Sequence, residues 1–111
     1  MFTINHIKLE TINSTNDYAL SLKDSIIFRE GLVVTAKFQS GGNGQRGKVW
    51  ESSENENLLL SVVIEPEIEL TEQSLISKIV ALSVCDVLKN LGIDAKIKWP
   101  NDILVANQKI A

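Results

Sequence analysis

Two short stretches carry the side chains that could do chemistry. The first, AKFQSGGNGQRGKVW from Ala36 to Trp50, holds four of the six glycines and sets Arg46 and Lys48 among them, with Lys37 just upstream. Gly41, Gly42, Gly44 and Gly47 allow a backbone to take positive φ and approach a ligand closely, and the cations beside them suit a phosphate. The second, KWPND from Lys98 to Asp102, gathers a cation, an amide and a carboxylate around Trp99 and Pro100. Lys98, Asn101 and Asp102 at a strand end would serve phosphate, base or ribose, and metal, whereas a solvated turn with Asp102 as a cap is the plain alternative. Only Trp99 in that stretch reads as core packing.

The glycine-rich stretch fits neither standard nucleotide loop. Val49 follows Lys48, so the G-x-x-x-x-G-K-[ST] ending is missing. Gly42, Gly44 and Gly47 match G-x-G-x-x-G, but that pattern must open a helix, and KVWESSENENLLL runs through polar residues into another strand instead. On glycine content alone, a hairpin connection with solvated charges competes with a binding loop.

The elements that must position these residues follow from periodicity. Ile7 and Leu9 alternate within a strand over Ile4 to Glu10, and Ser14, three residues before Asp17, is placed to cap a helix from about Thr15 to Lys23 with Tyr18, Ala19 and Leu22 on one face. LVVTAKF after Gly31 is β-branched and apolar, a strand feeding directly into the glycines. NLLLSVVIE resumes as a strand from Asn57, expected to be buried on both faces, and stops at Pro66. From Thr71 as N-cap, Ile76, Ile79, Val80, Val84, Val87, Leu88 and Leu91 recur at helical spacing up to Gly92, predicting the longest helix and a main core element. AKIKWP, NDILVA and KIA then predict strands joined by a turn at Asn107 and Gln108. The fold class is α+β with a mixed sheet.

The composition narrows the function classes. A chain of 111 residues fits one domain, and a net charge of −3 argues against a general nucleic-acid binder, so any basic site is local. The single cysteine, Cys85, falls in an apolar helical pattern and reads as a structural thiol in a reducing cytoplasm. The first residues show no basic segment followed by an apolar run, and no apolar run is about 18 residues long, so neither export nor a membrane span is expected.

STN at Ser14 to Asn16, FQSGGNGQRGKVW at Phe38 to Trp50, NLLLS at Asn57 to Ser61, KWPNDI at Lys98 to Ile103 and KIA at Lys109 to Ala111 together resemble the biotin protein ligases, in order and in approximate spacing. The resemblance implies a catalytic domain related to class II aminoacyl-tRNA synthetases, which condenses biotin with ATP and passes the biotinyl group to a lysine of a biotin carboxyl carrier protein or domain, in acetyl-CoA carboxylase or another biotin-dependent carboxylase. It assigns Ser14, Thr15, Asn16, Gln39, Asn43, Gly44, Gln45 and Lys109 to biotin. Gly42, Arg46, Lys48, Trp50, Lys98, Asn101 and Asp102 fall to ATP or the adenylate. Lys109 and Arg46 are the catalytic candidates, and Mg2+ is expected with ATP, with Asp102 as the candidate ligand.

Where the family loop commonly reads G-R-G-R-x-G-R-x-W, this chain has Asn43, Gln45 and Lys48 at the three cationic positions. Two of them have lost the charge-assisted contact an arginine makes, and weaker retention of the adenylate is expected. Residues 1–111 are expected to be the N-terminal portion of a ligase catalytic domain, with the remainder of that domain and a C-terminal domain absent. They also lack the winged-helix segment of the repressor members, so a DNA partner is not expected, and neither is a membrane. A homodimer is an assembly the resemblance allows. The competing readings are a lipoate or octanoate ligase of the same fold, and a fragment that keeps the fold without turnover.

Overall fold

The computed structural model of the chain describes residues 4–40, 42–43, 49–50 and 57–111. They divide into two compact units, 1–66 and 67–111.

In the first unit, strand β1 (Asn5–Ile12) lies parallel to β2 (Leu32–Gln39), and helix α1 (Thr15–Ser21) connects them. Strand β5 (Leu59–Val62) pairs antiparallel with the other side of β2, so β2 is the central strand of a mixed sheet. Between β2 and β5, the two-residue strands β3 (Gly42–Asn43) and β4 (Val49–Trp50) pair antiparallel with each other. Helix α1 begins where sequence reasoning placed it: Ser14 is extended, and its hydroxyl accepts a hydrogen bond from the Asp17 N–H at 3.2 Å. The helix ends at Ser21, one half-turn short of Lys23. Its apolar face meets the sheet, and Ala19, Leu32 and Val34 form a buried cluster flanked by Ile7, Leu9, Tyr18, Leu22, Phe28 and Val63.

Strand β5 departs from expectation. Leu59 is buried, but Leu60 and Val62 are nearly half exposed and Leu58 is mostly exposed. The apolar run signalled burial on both faces, yet alternation along a pleated strand directs only Leu59 and Ser61 inward.

In the second unit, helix α2 (Ser74–Asn90) precedes an antiparallel sheet of β6 (Ala95–Lys98), β7 (Asp102–Val105) and β8 (Gln108–Lys109). Thr71 is not the cap. Residues Leu70–Glu72 form a 3-10 turn, and Gln73 leads into the helix without a side-chain cap bond, because the tighter turn already supplies the entry geometry. The helix is also less of a core element than its pattern suggests. Ala81 is buried, Ile76, Val84 and Leu88 are half-buried, and Ile79, Val80, Val87 and Leu91 are exposed, because the apolar arc is wider than the face one small sheet can cover. Cys85 is half-buried and unpaired.

Gly92 stops α2 as predicted, at φ 80°, with its N–H bonded to Lys89 C=O and the Ile93 N–H bonded to Leu88 C=O. A Cβ at Gly92 would meet nothing within 4 Å, so only the backbone conformation resists substitution. Gly92→Ala is therefore expected to cost about 1 kcal/mol, which the shift of a urea unfolding midpoint at constant slope would check. The hairpin after β7 turns at Ala106 and Asn107, at φ 52° and 64°, one residue earlier than expected.

Candidate active site

In the first unit the parallel register sets Ile12 beside Gln39, so the carboxyl ends of β1 and β2 lie side by side. The chain leaving β1 supplies Ser14 and Thr15 at that end, and the chain leaving β2 supplies Gln39. Both Ser14 and Thr15 are buried polar residues, at 4% and 3% exposure, and burial without partners would be costly. Their partners are local and specific. The Thr15 N–H donates to Gln39 Oε1 at 2.9 Å, and the Thr15 hydroxyl lies 3.4 Å from that oxygen and 2.8 Å from the hydroxyl of Ser61. Asn16 is exposed in the first turn of α1. Ser61 joins this cluster, although sequence reasoning gives it no role within NLLLS. Its signal is a hydroxyl on the inward-facing register of an apolar strand.

Lys37 turns away from this cluster to pair with Glu10 at 3.3 Å on the exposed side of the sheet. Of the glycine-rich stretch, Gly42, Asn43 and Trp50 enter the short β3 and β4 ladder. Gly44, Gln45, Arg46 and Lys48 lie outside the described residues.

The second unit gathers the other set. Lys98 stands directly opposite Asp102 in the ladder between β6 and β7, and Lys109 stands opposite Leu104 between β7 and β8. Side chains two apart on a strand share a face, so Lys98, Asp102 and Lys109 share one face, with Lys96 beside them. The Lys109 Nζ reaches Asp102 Oδ1 at 3.0 Å. Lys96, opposite Leu104, was missed, although the alternation in AKIK carries its signal. The opposite face carries Ile97, Ile103 and Val105, and Ile103 is buried at 2% exposure. Asn101 is exposed in the turn between β6 and β7. Trp99, expected in the core, is 55% exposed, because it falls in that turn beyond the last ladder pair; its bond to Pro100 is cis. The face thus presents three cations around one carboxylate, an arrangement that can bind a polyanion.

A family model described as "Biotin/lipoate A/B protein ligase family" matches residues 9–111. The chain belongs to this family. It is 34% identical over 104 residues to the bifunctional ligase/repressor BirA of Salmonella typhimurium, covering 93% of this chain and 32% of that protein. It is 28% identical over 103 residues to the biotin--[acetyl-CoA-carboxylase] ligase of Mycobacterium tuberculosis, covering 88% of this chain and 39% of that one. Among solved structures, the Aquifex aeolicus biotin protein ligase in complex with biotin and ATP superposes with a TM-score of 0.78 at 30% identity, covering 96% of this chain and 44% of that one. The chain spans about a third of the length of the curated relatives it matches. The fold of this ligase family member is the α+β, mixed-sheet, class II synthetase-like fold of the biotin protein ligases.

Proposed function

We propose that the chain belongs to a biotin protein ligase that activates biotin with ATP to biotinyl-5'-AMP and transfers the biotinyl group to a lysine of a biotin carboxyl carrier domain. The observation that carries this reading over a lipoate or octanoate ligase is the cluster in which buried Thr15 bonds to half-buried Gln39 and Ser61. Such a cluster suits the polar ureido ring of biotin, because its internal bonds leave the Gln39 NH2 to meet a ligand acceptor, which a saturated chain does not offer. The relatives named as biotin ligases support the same choice.

In the first half-reaction a biotin carboxylate oxygen attacks the α-phosphorus of ATP, the bond to the bridging oxygen breaks, and pyrophosphate leaves. Negative charge grows on the phosphoryl oxygens, and fixed cations stabilise it without reorganising. Lys109 is assigned to the reacting carboxylate and α-phosphate, and Lys98 and Asn101 to the nucleotide. From the glycine-rich stretch, Gly42, Arg46 and Lys48 are assigned to the adenylate and its phosphates, and Asn43, Gly44 and Gln45 to the biotin. In the second half-reaction the carrier lysine amine attacks the activated carbonyl and AMP leaves, so this chain need supply no nucleophile.

Among the described residues no group of three or more His, Cys, Asp or Glu side chains could cage a metal ion. Mg2+ carried by a nucleotide needs only one or two carboxylates besides phosphates, and Asp102 fits that need. When bound, Mg2+ would neutralise charge on the triphosphate. Use of ATP and the lone thiol suit a cytoplasmic enzyme; no helix among the described residues is long and apolar enough to cross a membrane.

Incubating the whole protein with ATP and either biotin or lipoate tests the reading. Pyrophosphate and an acyl-adenylate are expected with biotin alone, and formation with lipoate instead would overturn it.

A further inference from the structure

We propose that Ser61 is a positioning residue for the carboxamide of Gln39, acting through the hydroxyl of Thr15; that the carboxamide faces a ligand rests on the function proposed above. A backbone N–H can only donate, so the contact of 2.9 Å from Thr15 fixes the oxygen of the Gln39 side chain toward Thr15 and its NH2 away from it. The Thr15 hydroxyl lies between that same oxygen and the Ser61 hydroxyl, 3.4 and 2.8 Å away.

Each hydroxyl has one proton to place. If Thr15 gave its proton to Ser61, the Ser61 proton would have no acceptor among the described contacts, and Gln39 would lose its second donor. If Ser61 donates to Thr15, Thr15 donates to Gln39 and both protons are used. Burial of Thr15 at 3% exposure favours this fully satisfied order. The chain of bonds then runs in one direction, from Ser61 to Thr15 to the Gln39 oxygen. Two donors on that oxygen draw electron density from the carboxamide and make its N–H groups stronger donors toward a ligand acceptor. Ser61 is 46 residues from Thr15 in sequence, so this hydroxyl joins β5 to the side chains gathered at the end of β2.

Ser61→Ala in the whole protein tests this in two ways. In ligand-free protein, the NMR signals of the Gln39 side-chain NH2 are expected to shift, and Ser61→Thr, which keeps the hydroxyl, is expected to restore them. With biotin, Ser61→Ala is expected to raise KM by about three- to tenfold with a much smaller change in kcat, the size of one lost hydrogen bond. In a Gln39→Ala background the same substitution should add almost nothing. Unmoved Gln39 signals, or an equal loss in both backgrounds, would overturn the proposal. If the Gln39 signals shift but unsubstituted protein does not bind biotin, the positioning role stands and the biotin reading fails.

Discussion

Lys109→Ala in the whole enzyme is expected to slow biotinyl-adenylate formation by about a hundredfold or more, the usual consequence of removing one fixed charge-stabilising group, while weakening biotin binding far less. The ammonium is held 3.0 Å from Asp102 on a face that already carries Lys96 and Lys98, so its place is set before substrates arrive. It interacts most strongly with what is most negative, which is the phosphoryl group in the transition state rather than the bound acid. Loss of the ion pair itself should move stability little. The two side chains are 44% and 28% exposed, and an ion pair so placed contributes no more than about 0.5 to 1 kcal/mol. Rapid-quench measurement of adenylate beside equilibrium biotin binding would check the split, and equal losses in the two would count against the assigned role.

Leu32→Ala is the second large effect, and it acts on folding. Leu32 is 1% exposed in a cluster with Ala19 and Val34, walled by Ile7, Leu9, Tyr18, Leu22, Phe28 and Val63. Removing three carbons there forfeits their transfer energy and leaves a void that sheet-bound neighbours cannot collapse to fill, at a cost of about 3 kcal/mol. That is a large share of the 5 to 15 kcal/mol typical of a domain. Because Leu32 opens β2 and Gln39 closes it, biotin binding should fail at a lower temperature in this variant. The comparison is Val62→Ala, on the half-exposed side of β5, which should cost under about 1 kcal/mol. Urea unfolding of both variants decides it, and similar midpoints would show that the cluster is not where stability resides.

What was legible in the sequence was mostly local. The Ser14 cap needs only Asp17, the Gly92 stop needs only the preceding helical turn, and the strand over Leu32 to Gln39 announces itself by branched residues. Family motifs named the same loop and the same KWPND turn that the residues alone left undecided. What stayed hidden depends on partners far along the chain. The exposed side of β5 and the bare arc of α2 look as apolar as any core, because hydrophobic runs do not say how many faces a neighbour will cover. Trp99 likewise looked like a core anchor until the turn set it beyond the ladder. Ser61 is the clearest case, since its meaning appears only when β5 is paired with β2.

The two-residue turn at Ala106 and Asn107 has a consequence for chain length. Strand side chains alternate with a period of two, so the number of residues in that turn fixes the parity of everything after it. If the turn keeps its two residues, inserting one between Asn107 and Gln108 shifts the register by one, swinging the lysine to the side of Ile103 and Val105 and bringing the glutamine round to the side of Asp102. Inserting two would return the lysine to its side. Odd changes of length should thus be poorly tolerated in this turn and even ones better tolerated, whatever residues are used, which makes the hairpin a counting device that keeps an ammonium in phase with its carboxylate.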